Sequence, residues 1–180
     1  MNMDNDEVTG LVFIDFRKAF DVIDHELLLK KLSIHGASPS SVAWFKSYLS
    51  ERKQFISLGK TASEQLTARQ GVPQGSILDP VLFLLFVNDM PLHVQKSTMD
   101  ISADDTTLSS SSDWKTTQHL NQTLSLQLSE VERWARGNKM YMNMQKTKAL
   151  LVMGKRLRKC IVHDSGKLVV KGDKQKSKTL

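Results

Sequence analysis

The chain opens on a polar stretch, residues 1–9, and then turns abruptly apolar. The run GLVFIDF over 10–16 is rich in branched and aromatic residues and predicts a strand buried on both faces, with Asp15 interrupting it. Asp24 stands where an N-cap would open the helix HELLLKKLSIH, whose Leu27, Leu28 and Leu32 share a face and which Gly36 ends. A second helix follows, with Ser38 as its cap, Pro39 as its first residue and Val42, Phe45 and Leu49 as its stripe. KQFISLGK over 53–60 predicts a strand running into a glycine turn, and RQGVPQGS over 69–76 a tight loop opening a helix of about 12 residues from Ile77. Ser76 and Asp79 have the spacing of a capping box. Alternation on either side of Ala103-Asp104-Asp105 suits a hairpin with the acids at its tip, and SSSSD over 109–113 reads as a loop. Leu120, Leu124, Leu128, Val131 and Trp134 trace one face of a long amphipathic helix that Gly137 stops. MYMNM and KALLVMG read as two further strands. Strands and helices are interleaved without an internal repeat, which places the chain in the α/β or α+β class.

Composition narrows the function. The 180 residues carry a net charge of +6, but unevenly: residues 139–180 hold 12 Lys and Arg against 2 Asp, and the first 138 hold 13 against 17. That asymmetry points to a polyanionic partner such as nucleic acid, or else to a solvated tail. A single cysteine, Cys160, excludes a disulfide framework, and five histidines without ligand spacing argue against zinc. The longest apolar run, VLFLLFV at 81–87, is too short for a bilayer, and the acidic N-terminal stretch is unlike a secretory signal. The expected setting is intracellular, nuclear or cytoplasmic, with no membrane partner.

The chemistry lies in the acids. A carboxylate in a buried strand needs something to offset its charge. If Asp15 and the Asp104-Asp105 tip belong to neighbouring strands, three carboxylates converge. Such oxygen ligands suit Mg²⁺, and two ions about 3.5–4 Å apart would clamp an in-line phosphoryl displacement. Taken singly, Asp15 also reads as a strand-end residue and Asp104-Asp105 as a turn. A metal-dependent phosphatase or nuclease would call for an acid–histidine pattern that the sequence lacks.

Four blocks occur in order: LVFIDFRKAFDVIDHELLLKKL, RQGVPQGSILDPVLFLLFVNDMP, ADDTTL and WARGNKMYMNMQKTKALLV. Together they resemble the reverse transcriptase domain of a non-LTR (LINE-type) retrotransposon, over roughly residues 10–155. The resemblance implies an α+β polymerase palm, an antiparallel sheet packed by helices on one face. The polar lead would cover 1–9, the palm 10–155 and a basic, partly disordered extension 156–180. The implied activity is RNA-directed DNA synthesis, two-metal transfer of nucleotides from dNTPs onto a primer. Its cofactors would be two Mg²⁺ ions, with Mn²⁺ as the alternative ion. Its partners would be an RNA template, a DNA primer and dNTP.

By the same resemblance, Asp15 binds both ions with help from the Phe16 carbonyl, and Asp104 is the second metal ligand while Asp105 tunes the site. Phe20 matches the bulky residue under the sugar that excludes a 2′-hydroxyl. Gln74 and Gly75 sit in the loop beside the nucleotide, with Gly71 and Pro73. Lys146, in an N-x-x-K-T pattern from Asn143, would protonate the pyrophosphate leaving group. The chain departs from the family at Ser102, where a large aromatic is usual, and at Asp79, where glycine is usual. Little sequence precedes the first block or follows the fourth, so fingers and thumb are expected to lie largely outside it, supplied by further chain or another protein. The alternative expectation is a catalytically inactive remnant that at most binds nucleic acid.

Overall fold

Strand β1, Glu7–Ile14, puts Val8, Gly10, Val12 and Ile14 on one face and Thr9, Leu11 and Phe13 on the other. The structure, a computed structural model, describes residues 7–73 and 75–153. Only the first of these faces is buried, and Phe13 on the second is 44% exposed. The strand therefore alternates as half-buried antiparallel strands do, against the expectation of burial on both sides. It begins inside the polar lead and ends one residue short of Asp15, which spares that carboxylate a place in the ladder.

Around β1 an antiparallel sheet forms in the order β6-β7-β1-β8, with β6 at Thr98–Ser102, β7 at Asp105–Asp113 and β8 at Lys148–Met153. The expected hairpin is present, turning at Ala103-Asp104. The expected loop at 109–113 is instead the second half of β7: Ser109–Asp113 pair with Leu11–Glu7. Of the two late strands only β8 forms. Residues 139–144 make one isolated bridge, Phe16 to Met142.

Helix α4, Thr117–Gly137, buries Leu120, Leu124, Leu128, Val131 and Trp134, the spacing read from the sequence. Its stripe packs on the Val8/Val12 face of the sheet, with Leu108 from β7 fully buried beside it. Gly10 lets the helix approach, because a Cβ there would run into the Leu124 side chain. Polar clasps fix the helix: Trp134 Nε1 donates to Asp89 at 3.0 Å, and Gln127 Oε1 accepts from the Gln95 and Lys96 amides at 2.8 and 3.2 Å.

Among the described residues these elements form one compact unit, 7–17, 89–137 and 141–153; 18–73, 75–88 and 138–140 form a second. In the second unit lie α1 (His25–Ile34), α2 (Pro39–Leu49) and α3 (Asp79–Val87). Asp24 and Ser38 cap the first two as expected, accepting from the Leu27 and Ser41 amides. Gly36 takes φ +89 just past α1, the left-handed conformation in which helices commonly end. Helix α3 spans 9 residues and starts two later than predicted, at Asp79. Its buried Leu82, Phe83 and Phe86 meet Leu28 and Leu32 of α1 in the core of this unit. The 53–60 stretch does not form one strand. It divides between two short ladders, β2 (Lys53–Gln54) with β5 (Leu66–Thr67), and β3 (Ser57–Leu58) with β4 (Thr61–Ala62). Helices α1 to α3 thus belong to the second unit, and the helix packed on the sheet within the first is α4. Among the described residues no helix is long and apolar enough to cross a membrane. The basic extension at 156–180 lies outside the described residues.

Candidate active site

In the first unit the sheet itself brings the acids to one end. The β1–β7 register closes with Ile14 opposite Thr106. Continued by one residue, it sets Asp15 across from Asp105, and strand parity puts both on the face of Phe13 and Thr107. Asp104 is the second residue of the hairpin turn and, like Asp105, is exposed. Ala103 before it takes φ 53°, a left-handed position that two-residue hairpins use to match the twist of their strands.

Asp15 is held by its backbone. Its carbonyl accepts from the Asn143 amide at 2.7 Å, and its amide lies 3.4 Å from Thr147 Oγ1. The two bonds of the Phe16–Met142 bridge run through Asp15 and Arg17, whose amide donates to the Tyr141 carbonyl at 2.8 Å. Phe16's own carbonyl takes no part in that bridge, while its side chain is buried on the opposite face from Asp15. The Asp15 side chain is half-buried, and Oδ2 is enclosed without a hydrogen-bond partner. An enclosed carboxylate oxygen left bare is costly, and a cation is one group that would satisfy it.

Lys146 is exposed and stands in a turn anchored to that same strand end. The Lys146 and Thr147 amides both donate to the Asn143 carbonyl, at 3.0 and 2.8 Å. The Asn143 side chain closes an Asx turn on the Gln145 amide at 3.3 Å. The N-x-x-K-T pattern is thus a turn that ties Lys146 to Asp15. Thr147, the last residue of that pattern, has no role that the sequence alone points to; its hydroxyl faces the Asp15 amide.

In the second unit Phe20 and the glycine loop are joined. Phe20 is half-buried with its ring 4.6 Å from that of Phe83. The Val72 amide donates to the Phe20 carbonyl at 3.0 Å, and the Gly71 amide to the Ile23 carbonyl at 2.7 Å. Gly71 takes φ +84, and a Cβ there would lie 2.8 Å from the Asp21 carbonyl oxygen, so only glycine fits. Gly75 is exposed at φ +84 with open space around it. Gln74 lies outside the described residues. A cleft of about 560 Å³ beside the loop is lined by Lys18, Arg52 and Lys53 as well as Asp21 and His25.

At the rear of the loop, Asp79 is 7% exposed with Oδ1 unpartnered. Burial pushes its carboxyl above the ordinary value, and the Asp21 carboxylate adds to that against the pull of the Gly75 amide. Asp24 is the opposite case. Burial alone would raise it, but hydrogen bonds from Lys139 and the Leu27 amide outweigh burial and hold it below its ordinary value.

Among the described residues no group of three or more His, Cys, Asp or Glu is gathered as a ready metal cage. The Asp15 and Asp105 carboxylates on one face, with Asp15 Oδ2 enclosed and bare, are an all-oxygen donor set. They fit Mg²⁺, which takes one or two carboxylates and completes its shell with water and phosphate.

An antiparallel sheet with an acid-tipped hairpin beside its central strand is the architecture of a polymerase palm. The structure of apo telomerase from Candida tropicalis, truncated of its C-terminal domain, shares the fold with a TM-score of 0.57, 13% identity and coverage of 81% of this chain and 31% of that one. The family model "Reverse transcriptase (RNA-dependent DNA polymerase)" matches residues 1–179, and the chain belongs to that family. It is 36% identical over 98 residues to the RNA-directed DNA polymerase from mobile element jockey of Drosophila melanogaster, covering 54% of this chain and 11% of the relative. It is also 36% identical over 88 residues to the probable RNA-directed DNA polymerase from transposon BS of the same species, covering 49% and 10%. A retrovirus-related Pol polyprotein from type-1 retrotransposable element R2 of Popillia japonica is 29% identical over 81 residues, covering 45% and 13%. These matches make the chain a segment of a non-LTR retrotransposon reverse transcriptase domain, aligned with 10% to 13% of the length of these relatives.

Proposed function

We propose that this chain carries the metal-binding and nucleotide-selecting part of an RNA-directed DNA polymerase that adds dNTPs to a DNA primer on an RNA template. The observation that carries the reading is the bare, enclosed Asp15 Oδ2 at the sheet end where the hairpin acids stand. Asp15 and Asp104 would hold two Mg²⁺ ions, or Mn²⁺ in their place, with the Phe16 carbonyl as a further ligand. The ions, when bound, would neutralise charge on the attacking and leaving oxygens. Asp105 shares Asp15's face by strand parity and would tune the site through its charge. Lys146, on its anchored turn, would give its proton to the departing pyrophosphate. Phe20 would close the space under the sugar, with Gln74 and Gly75 beside the base. The basic lining at Lys18, Arg52 and Lys53 supports a polyanionic ligand in the second unit.

Metal binding can be tested without turnover. Titrating Mn²⁺ into the 180-residue chain should broaden signals near Asp15 and raise the melting temperature, as any ligand of the native state does. Asp15→Asn should remove both effects, and Asp104→Asn should weaken binding at least tenfold. Lys146→Ala should leave Mn²⁺ binding unchanged and slow primer extension. Equal Mn²⁺ responses in the native chain and Asp15→Asn would sink the reading.

A second reading, a catalytically inactive remnant that at most binds nucleic acid, draws on the buried Asp79 carboxyl, whose Oδ1 has no partner. If it is right, the chain binds single-stranded nucleic acid in a salt-dependent way and shows no Mn²⁺ response at Asp15.

A further inference from the structure

His25 is the first residue of α1. Helical side chains lean towards the N-terminus, so its ring leans back from the helix towards residue 71. There Nε2 lies 2.7 Å from the carbonyl oxygen of Gly71. A carbonyl can only accept, so Nε2 carries the proton and donates it. The Gly71 and Val72 amides bond the Ile23 and Phe20 carbonyls from the other side. Three hydrogen bonds therefore tie residues 71–72 to residues 20–25, and the absence of a Cβ at Gly71 lets the two backbones touch. Two of the three bonds belong to the backbone. The His25 bond alone comes from a side chain.

We propose that His25 is a positioning residue that sets the spacing between Phe20 and the loop leading to Gln74 and Gly75, and through it the preference for deoxynucleotides. The inference rests on the roles given to Phe20 and the loop under the proposed function. The Phe20 ring is anchored against Phe83 in its own unit. Loss of the His25 bond leaves the loop on its two backbone bonds alone, so the loop loosens while the Phe20 ring stays in place. The gap between them widens, and the penalty against a 2′-hydroxyl falls. His25 itself touches no reacting atom.

The test uses the full 180-residue chain and three forms of it: native, His25→Ala and His25→Gln. Amide hydrogen exchange at Gly71 and Val72 reports the latch, and exchange at Leu28 and Leu82, in α1 and α3, reports the core. His25→Ala should speed exchange at Gly71 and Val72 by about tenfold, the factor one lost hydrogen bond commands, with Leu28 and Leu82 unchanged. The ratio of Mg·dATP to Mg·ATP affinity should fall by a similar factor. His25→Gln, whose side-chain amide can donate from much the same place, should restore both. Unchanged exchange at Gly71 and Val72 would overturn the proposal, and so would equal loosening at Leu28 and Leu82, which would make His25 merely structural. An unaltered dATP-to-ATP ratio in a variant with a loosened loop would also overturn it. If the native chain binds neither nucleotide, the reading of Phe20 and the loop fails, while the exchange data still decide whether His25 holds the loop.

Discussion

Three aspartates show how far one residue type is set by its neighbours. Asp24 is satisfied by an amide and an ammonium, Asp15 keeps one bare oxygen where a cation would fit, and Asp79 keeps one bare oxygen with the Asp21 carboxylate near enough to act on it. Asp79 and Asp24 act oppositely on stability as pH changes. The Asp79 carboxyl is raised, so its penalty is fully present at neutral pH and is relieved as pH falls through its folded value towards the ordinary one. The Asp24 carboxyl is lowered, so its stabilisation is present above the ordinary value and is lost as pH falls through the folded one. Asp79→Asn, which keeps an acceptor for the Gly75 amide and removes the charge, should stabilise the chain by about 1 kcal/mol at pH 7. The gain should shrink steadily towards pH 4. Urea midpoints of the two proteins at several pH values give the comparison, and a gain that grows on acidification would contradict the assignment.

At the scale of elements, the second-block loop depends on two glycines that share a left-handed backbone but differ in surroundings. Gly75→Ala meets open space, so it should cost only the conformational term of about 1–2 kcal/mol. Gly71→Ala adds a collision with the Asp21 backbone, which cannot swing aside as a side chain could. It should cost clearly more, and chemical denaturation of the two variants side by side would show the difference. This scale also shows what could be read from sequence. The caps at Asp24 and Ser38, the stripe from Leu120 to Trp134 and the hairpin tip at Ala103-Asp104 were legible because each depends on residues within a few positions. The strand at Ser109–Asp113 was not. Its partner is Glu7–Leu11, far away in sequence, and a run of serines has no apolar period to betray it. The Asp15 and Asp104-Asp105 pairing was legible only through the four-block resemblance, since no local rule joins residues on separate strands. His25 and Thr147 act through single hydrogen bonds made to distant backbone, and no spacing announces such a bond.

For the molecule as a whole, the second unit shows more apolar surface than its core explains. Trp44 is 55% exposed on α2, and Leu58 and Leu66 on the short ladders, Ile56 just before β3 and Ile77 at 91% are barer still. Surfaces of this kind drive association. Light scattering of the 180-residue chain should show mass rising with concentration, and the Leu58→Ser/Leu66→Ser double variant should reduce it. A monomer at all concentrations would count against this.

The central strand has a different consequence. Every partner of β1 lies far downstream: the nearest register pair is Ile14 with Thr106, and Val8 must wait for Met153. Long-range antiparallel pairing of this sort is slow to form. During translation the earliest strand of this chain is therefore the last to be flanked. A product ending before Lys148 leaves one side of it open, and one ending before Asp105 leaves both. Such prematurely terminated polypeptides present a naked, aggregation-prone ribbon and are expected to be cleared by cellular quality control instead of accumulating as competitors of the finished protein.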